Sequence, residues 1–95
     1  MKKYEIMYII RPDLESEQIK SLVANLSNIF TERGSEVLEL KEIGLKELAY
    51  EIEHMKKGYY VWSLVNATNE AIAEFDRVIR ITETVIRYIV VKDGE

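Results

Sequence analysis

The sequence predicts an α+β sandwich, in which two helices cover one face of a four-stranded antiparallel sheet. Two segments place apolar residues three and four positions apart, as on one side of a helix. Four other segments alternate apolar and polar residues, as half-buried strands do. These segments follow one another as strand, helix, strand, strand, helix, strand. With 95 residues the chain can build one core but not two, so we expect a single domain over residues 1–95.

The first strand is predicted over residues 3–10, and the Pro12 that follows cannot donate a ladder hydrogen bond. The first helix is predicted over residues 15–33, because one apolar stripe runs along it. Gly34 favours the left-handed conformation that ends helices. The stripe consists of Ile19, Leu22, Val23, Leu26, Ile29 and Phe30.

The second strand is predicted over residues 35–53, with Gly44 as a bulge and glutamates along its exposed side. Residues 54–58 predict a turn, and residues 59–66 predict the third strand. In the second half of the chain we expect a helix that is capped by Thr68 or Asn69 and runs to about Ile81. A strand over 85–92 and a frayed end follow it.

The third strand is apolar on both faces, so alternation alone leaves its orientation open. Val61 and Val65 suit the surface beneath helices, whereas Tyr and Trp tolerate a half-wet surface. We therefore predict that Tyr60, Trp62 and Leu64 point away from the helices. In the last strand, Ile86, Tyr88 and Val90 are expected on the helix side, with Val85, Arg87, Ile89 and Val91 on the other.

The order of elements is that of the ferredoxin-like β-α-β-β-α-β sandwich. We expect the first and third strands in the centre, parallel to each other, with the second and fourth at the edges. Both helices then lie on one face, and the opposite face is open. An apolar patch of this size favours a protein partner. It would contain Met7, Ile9, Tyr60, Trp62, Leu64, Ile89 and Val91.

Composition argues against several function classes. There is no cysteine, a single histidine and no glycine-rich phosphate loop, so we predict no catalytic residues, no cofactor and no metal site. The apolar runs are shorter than the roughly 20 residues of a membrane helix. We therefore expect a cytosolic protein with no membrane partner and no small-molecule substrate. The net charge of −4 weakens the case for binding nucleic acid alone.

The segment "KKGYYVWSL" invites comparison with the third strand of an RNA-recognition motif. Lys57, Gly58 and Tyr59 fit that pattern, but Tyr60 and Val61 stand where a small residue and a stacking aromatic belong. A small regulatory domain, or a binding domain like the RNA-recognition motif, remains an alternative on these grounds.

The segment "GLKELAYEI" resembles the signature of the bacterial small-subunit ribosomal protein six family. "YEIMYIIRPDL", "KKGYYVWSLVNA" and "VIRYIVVK" also look like this family, in the same order, so the resemblance covers nearly the whole chain. Glu53 departs from it, since the family usually has a basic or small residue there. The matching signature residues are Gly44, Lys46, Glu47, Leu48, Ala49, Tyr50 and Ile52.

The resemblance implies a non-enzymatic protein of the 30S subunit in the cytoplasm. It implies binding to the central domain of 16S rRNA, as a heterodimer with small-subunit ribosomal protein eighteen. A basic partner could neutralise phosphates that this acidic chain does not. Basic residues at strand ends and on the open side are our candidates for rRNA contacts, from their position alone. They are Lys2, Lys3, Lys56, Arg87 and Lys92.

Overall fold

The computed structural model describes residues 1–52 and 54–92. The predicted end of the second strand at Glu53 and the predicted frayed end at 93–95 lie outside these residues. The described elements confirm the order β-α-β-β-α-β. They are β1 (Lys2–Ile10), α1 (Ser16–Thr31), β2 (Glu36–Ile52), β3 (Met55–Ala67), α2 (Asn69–Arg80) and β4 (Val85–Lys92).

The sheet has the order β2-β3-β1-β4, which confirms the ferredoxin-like fold with β1 and β3 in the centre. The expectation that β1 and β3 are parallel is wrong, because their register is antiparallel throughout. The crossover through α1 makes β1 and β2 parallel, and β3 returns from β2 through a tight hairpin. Because β3 lies between β2 and β1, it runs antiparallel to both neighbours.

Local capping fixes where the helices begin and end. At the start of α1, the Gln18 side-chain oxygen accepts a hydrogen bond from the Glu15 backbone N–H at 3.0 Å. Gly34, with φ of 74°, takes the left-handed conformation predicted for the stop of this helix. At the start of α2, the Thr68 hydroxyl accepts a hydrogen bond from the Ala71 N–H at 3.1 Å.

The core lies between the two helices and one face of the sheet. The rings of Phe30 and Phe75 join α1 to α2 with centroids 5.1 Å apart, and Tyr8 lies 6.5 Å from Phe75. Val61 and Val65 are fully buried beneath the helices. This confirms the predicted orientation of β3 and leaves Tyr60, Trp62 and Leu64 on the opposite face.

The hairpin between β2 and β3 is longer than the sequence predicts. Residues 54–58 are not a turn, because β3 begins at Met55, opposite Ile52. His54 takes a left-handed φ of 68° and lets the chain reverse within a very short connection. The polar residues suggested a turn, but they form cross-strand pairs along the hairpin, with Lys57 opposite Glu47.

Bulges change which side chains share a face. The register of β2 shifts between Glu42 and Gly44, where Gly44 has φ of 102°, so the predicted bulge is confirmed. A second shift beside Ile10 breaks the alternation of β4. Val85 therefore packs against the core, and its predicted position on the open side is wrong.

We expect Gly58→Ala to destabilise the fold by about 1–3 kcal/mol, because a Cβ at this buried position would overlap the Ile9 side chain. Urea denaturation measures the change. In an Ile9→Ala background the overlap is removed, so the same substitution should cost less. An equal cost in both backgrounds would contradict this explanation.

Candidate partner and nucleic-acid interface

The sheet face opposite the helices, called the open face below, is organised in rows across the strands. Residues opposite one another in antiparallel strands lie on the same face, so the registers define the rows directly. Written from β2 to β4, the rows are Glu39, Leu64, Glu5, Val91; then Lys41, Trp62, Met7, Ile89; then Gly44, Tyr60, Ile9, Arg87.

The structure brings all seven predicted partner residues together on the open face. Two of them are the most accessible, Ile89 with 56% of its surface exposed and Val91 with 48%. The other five are half-buried against one another: Met7, Ile9, Tyr60, Trp62 and Leu64. Their role as partner contacts stays a prediction.

Charged neighbours hold Trp62 in the middle of this patch. Its indole N–H donates to Oε1 of Glu5 at 3.4 Å, and Nζ of Lys41 lies 5.7 Å from the ring centroid. The sequence reasoning did not single out either residue for the site. No local signal in the sequence links them to Trp62, because Glu5 and Lys41 become its neighbours only through strand pairing.

Two shallow hollows open between the apolar side chains. One, of about 350 Å³, is bordered by Met7, Ile9 and the β4 segment 87–89. The other, of about 190 Å³, lies between Trp62, Met7 and Val91, with Ile89 shared by both. Their polar borders and apolar floors suit the side chains of a docked protein.

The five basic candidates do not form one cluster. Lys92 pairs with Tyr4 and Arg87 pairs with Ile9, so the two positions lie roughly 17 Å apart along β1. Lys2 and Lys3 belong to the Lys92 end of the sheet. Lys56 is separate again, on the β2–β3 hairpin beside Glu47 and Glu51.

Lys2 and Lys92 lie close together at that end. The nearby positive charge of the Lys2 ammonium disfavours a second positive charge and lowers the pKa of Lys92 from its ordinary value. Lys3 alternates to the open face, opposite Asn66. Two adjacent exposed ammonium groups form a local positive site on an acidic chain, and an anion placed between them would relieve their repulsion.

Most arginines are neutralised within the protein. Arg77 donates two hydrogen bonds to Glu74, at 2.9 and 2.6 Å, and hydrogen bonding to Arg77 lowers the pKa of Glu74. Arg33 also approaches Glu74, at 3.7 Å, and Arg80 pairs with Asp76. These ion pairs leave α2 little free positive charge for a phosphate.

Arg87 is arranged differently. Its Cζ lies 5.6 Å from the centroid of the Tyr50 ring, and it forms no ion pair with a carboxylate of residues 1–52 or 54–92. Tyr50 is 61% exposed. Tyr50 was a residue of the family signature and Arg87 was a candidate from its position, but nothing in the sequence placed them together.

Tyr8 and Tyr59 do not contribute to a base-stacking platform on the open face. Tyr8 is buried under the helices, where burial raises the pKa of its hydroxyl. Tyr59 packs on the core side and donates to Oε1 of Glu42 at 2.7 Å. That hydrogen bond raises the pKa of Tyr59. The features that suggested an RNA-recognition motif therefore belong mainly to the fold.

Across residues 1–52 and 54–92, no three histidine or acidic side chains come together in a way that could hold a metal ion. No described helix is long and apolar enough to cross a membrane.

Comparison with known proteins decides the family. The family model described as ribosomal protein S6 matches residues 3–92. The chain belongs to the ribosomal protein S6 family. It is 64% identical over 95 residues to small ribosomal subunit protein bS6 of Acholeplasma laidlawii, and 53% identical to bS6 of Aster yellows witches'-broom phytoplasma, with both chains fully covered in each case. This confirms the resemblance seen in the sequence.

A solved structure of the same family supports the architecture. The crystal structure of 30S ribosomal protein S6 from Thermotoga maritima superposes with a TM-score of 0.91 at 26% identity. The match covers 97% of this chain and 87% of the other. The S6 fold is therefore retained at low sequence identity.

We expect Glu42→Gln to lower the pKa of Tyr59 toward its ordinary value, because a neutral amide accepts the hydroxyl proton less strongly than a carboxylate does. NMR titration of the tyrosine rings measures this pKa. Glu39→Gln, on the same strand, is the matched control and should leave it unchanged. A Tyr59 pKa that Glu42→Gln does not move would show that the hydrogen bond is absent in solution.

Proposed function

We propose that this protein is a structural, non-enzymatic component of the 30S subunit. In this proposal it binds the central domain of 16S rRNA together with small-subunit ribosomal protein eighteen, as a heterodimer. Membership of the S6 family supports the ribosomal role, and the open apolar face is the observation that carries the need for a partner. The proposed location is the cytoplasm, with residues 1–95 acting as one domain.

The open face suits a protein better than RNA. Its central side chains are apolar, and the largest of them, Trp62, has its indole N–H turned to Glu5. Nucleic-acid interfaces are more polar and much more positively charged than this surface. Burying the exposed apolar area of Ile89 and Val91 against a partner would stabilise a heterodimer through the hydrophobic effect.

The charge balance supports a shared RNA surface. The chain has a net charge of −4, and within residues 1–52 and 54–92 four of the five arginines pair with carboxylates. The remaining candidates, Lys2, Lys3, Lys56, Arg87 and Lys92, are too few and too far apart for tight binding alone. Such contacts would orient the protein on the RNA backbone, while a basic partner supplies further phosphate neutralisation.

A binding titration tests this division of labour. We expect weak binding of the rRNA central-domain fragment by this protein alone and by protein eighteen alone, and tight, salt-sensitive binding by the pair. Filter binding at several salt concentrations measures all three cases. Tight binding by this chain alone, or a partner that makes no difference, would refute the shared surface.

A substitution on the open face tests the docking site. Because buried aromatic residues dominate many interfaces, we expect Trp62→Ala to weaken heterodimer formation by about 2 kcal/mol or more. Calorimetric titration with protein eighteen measures the affinity, and urea denaturation measures stability. Ile81→Ala is the matched control, since Ile81 is 68% exposed and lies beyond α2, away from the open face. A large loss of stability with pairing intact would mean that Trp62 serves the fold instead.

A further inference from the structure

Tyr50 and Arg87 come from opposite edges of the sheet. Tyr50 belongs to β2 and Arg87 to β4, with β3 and β1 between them. Their contact, at 5.6 Å from guanidinium carbon to ring centroid, therefore requires the end of the β2–β3 hairpin to bend across the open face.

The contact restrains Arg87 without neutralising it. A guanidinium above an aromatic ring is attracted by the ring electrons and loses part of its rotamer freedom. Its positive charge remains, and the N–H groups in its plane can still form paired hydrogen bonds with an oxyanion. A carboxylate partner would have used both the charge and those donors.

Ion pairing separates Arg87 from the other arginines. Arg11, Arg33, Arg77 and Arg80 each lie within 4.0 Å of a carboxylate, whereas Arg87 has no such partner in residues 1–52 and 54–92. Within the described residues, Arg87 is therefore the exposed arginine that contacts an aromatic ring and has no carboxylate within 4.0 Å.

We propose that Tyr50 is a positioning residue, which holds Arg87 ready to bind a backbone phosphate of RNA. This inference rests on the proposed function and adds a role for the tyrosine of the "GLKELAYEI" segment. The oxyanion could also be a carboxylate of the partner protein. A guanidinium can form two parallel hydrogen bonds with either group. Phosphate is favoured because the proposed partner is basic, whereas the RNA backbone carries a phosphate at every nucleotide.

The free protein provides the first test. Ring currents of Tyr50 should shift the Arg87 side-chain protons upfield in the NMR spectrum. We expect Tyr50→Leu to abolish this shift and Tyr50→Phe to keep it, since phenylalanine retains the aromatic face. An Arg87 spectrum that is the same in Tyr50→Leu and in the wild type would overturn the inference, whatever the protein binds.

A double-mutant cycle on RNA binding provides the second test. For the heterodimer on the rRNA central-domain fragment, we expect Tyr50→Leu to weaken binding about two- to fivefold and Tyr50→Phe to restore it. Arg87→Ala should weaken binding further and reduce the slope of log K against log salt by about 0.7–0.9. Tyr50→Leu alone should leave that slope unchanged, because Arg87 can still reach the phosphate.

Comparing Tyr50→Leu in two mutant backgrounds, Arg87→Ala and Lys92→Ala, shows whether Tyr50 acts through Arg87. Tyr50→Leu should cost nothing more when Arg87→Ala is already present, but should keep its full cost beside Lys92→Ala, which lies at the other end of the sheet. Equal costs in both backgrounds would overturn the positioning role.

Other outcomes separate this inference from the function on which it rests. If Arg87→Ala weakens heterodimer formation instead of RNA binding, the partner is a carboxylate and the inference fails alone. If the wild-type heterodimer does not bind the rRNA fragment, the proposed function and the phosphate contact both fail.

Discussion

The structure depends on the fact that two helices can cover only one face of a four-stranded sheet. The covered face is dry and closely packed, with Phe30 and Phe75 joining the helices above Val61 and Val65. Because strand side chains alternate, every residue that enters this core places its neighbour on the other face. In β1 and β3 those neighbours are also largely apolar, so the core that stabilises the monomer also presents a surface suited to a partner.

Periodicity in the sequence was sufficient to predict the elements and the core. The stripe of α1, the cap at Thr68 and the orientation of β3 each follow from local chemistry, such as side-chain spacing or the preference of valine for a pleated buried surface. Three predictions were wrong: the pairing direction of β1 and β3, the extent of the hairpin and the position of Val85. Strand direction follows from the chain path, while bulges and tight reversals depend on backbone geometry that alternating letters do not encode.

The candidate site also has a part that the sequence predicts and a part that it does not. Its apolar members were predictable, since they alternate with core residues along the same strands. The contacts of Glu5 and Lys41 with Trp62, and of Tyr50 with Arg87, were not, because each joins residues from different strands. Which arginines are free to bind a phosphate also depends on ion pairs that the sequence does not show. The sequence gives the number of arginines, but only the structure shows that Glu74 and Asp76 take up three of them.

The irregular register of β2 has a consequence for the protein before it assembles. As an edge strand, β2 exposes backbone groups together with four apolar side chains, Leu38, Leu40, Ile43 and Leu45. A straight strand of this kind would be a template on which further copies could polymerise. The pairing register between β2 and β3 shifts at three places along β2. An incoming strand would therefore meet only short regular stretches of this edge. The irregular edge therefore disfavours edge-to-edge pairing between free copies of the chain.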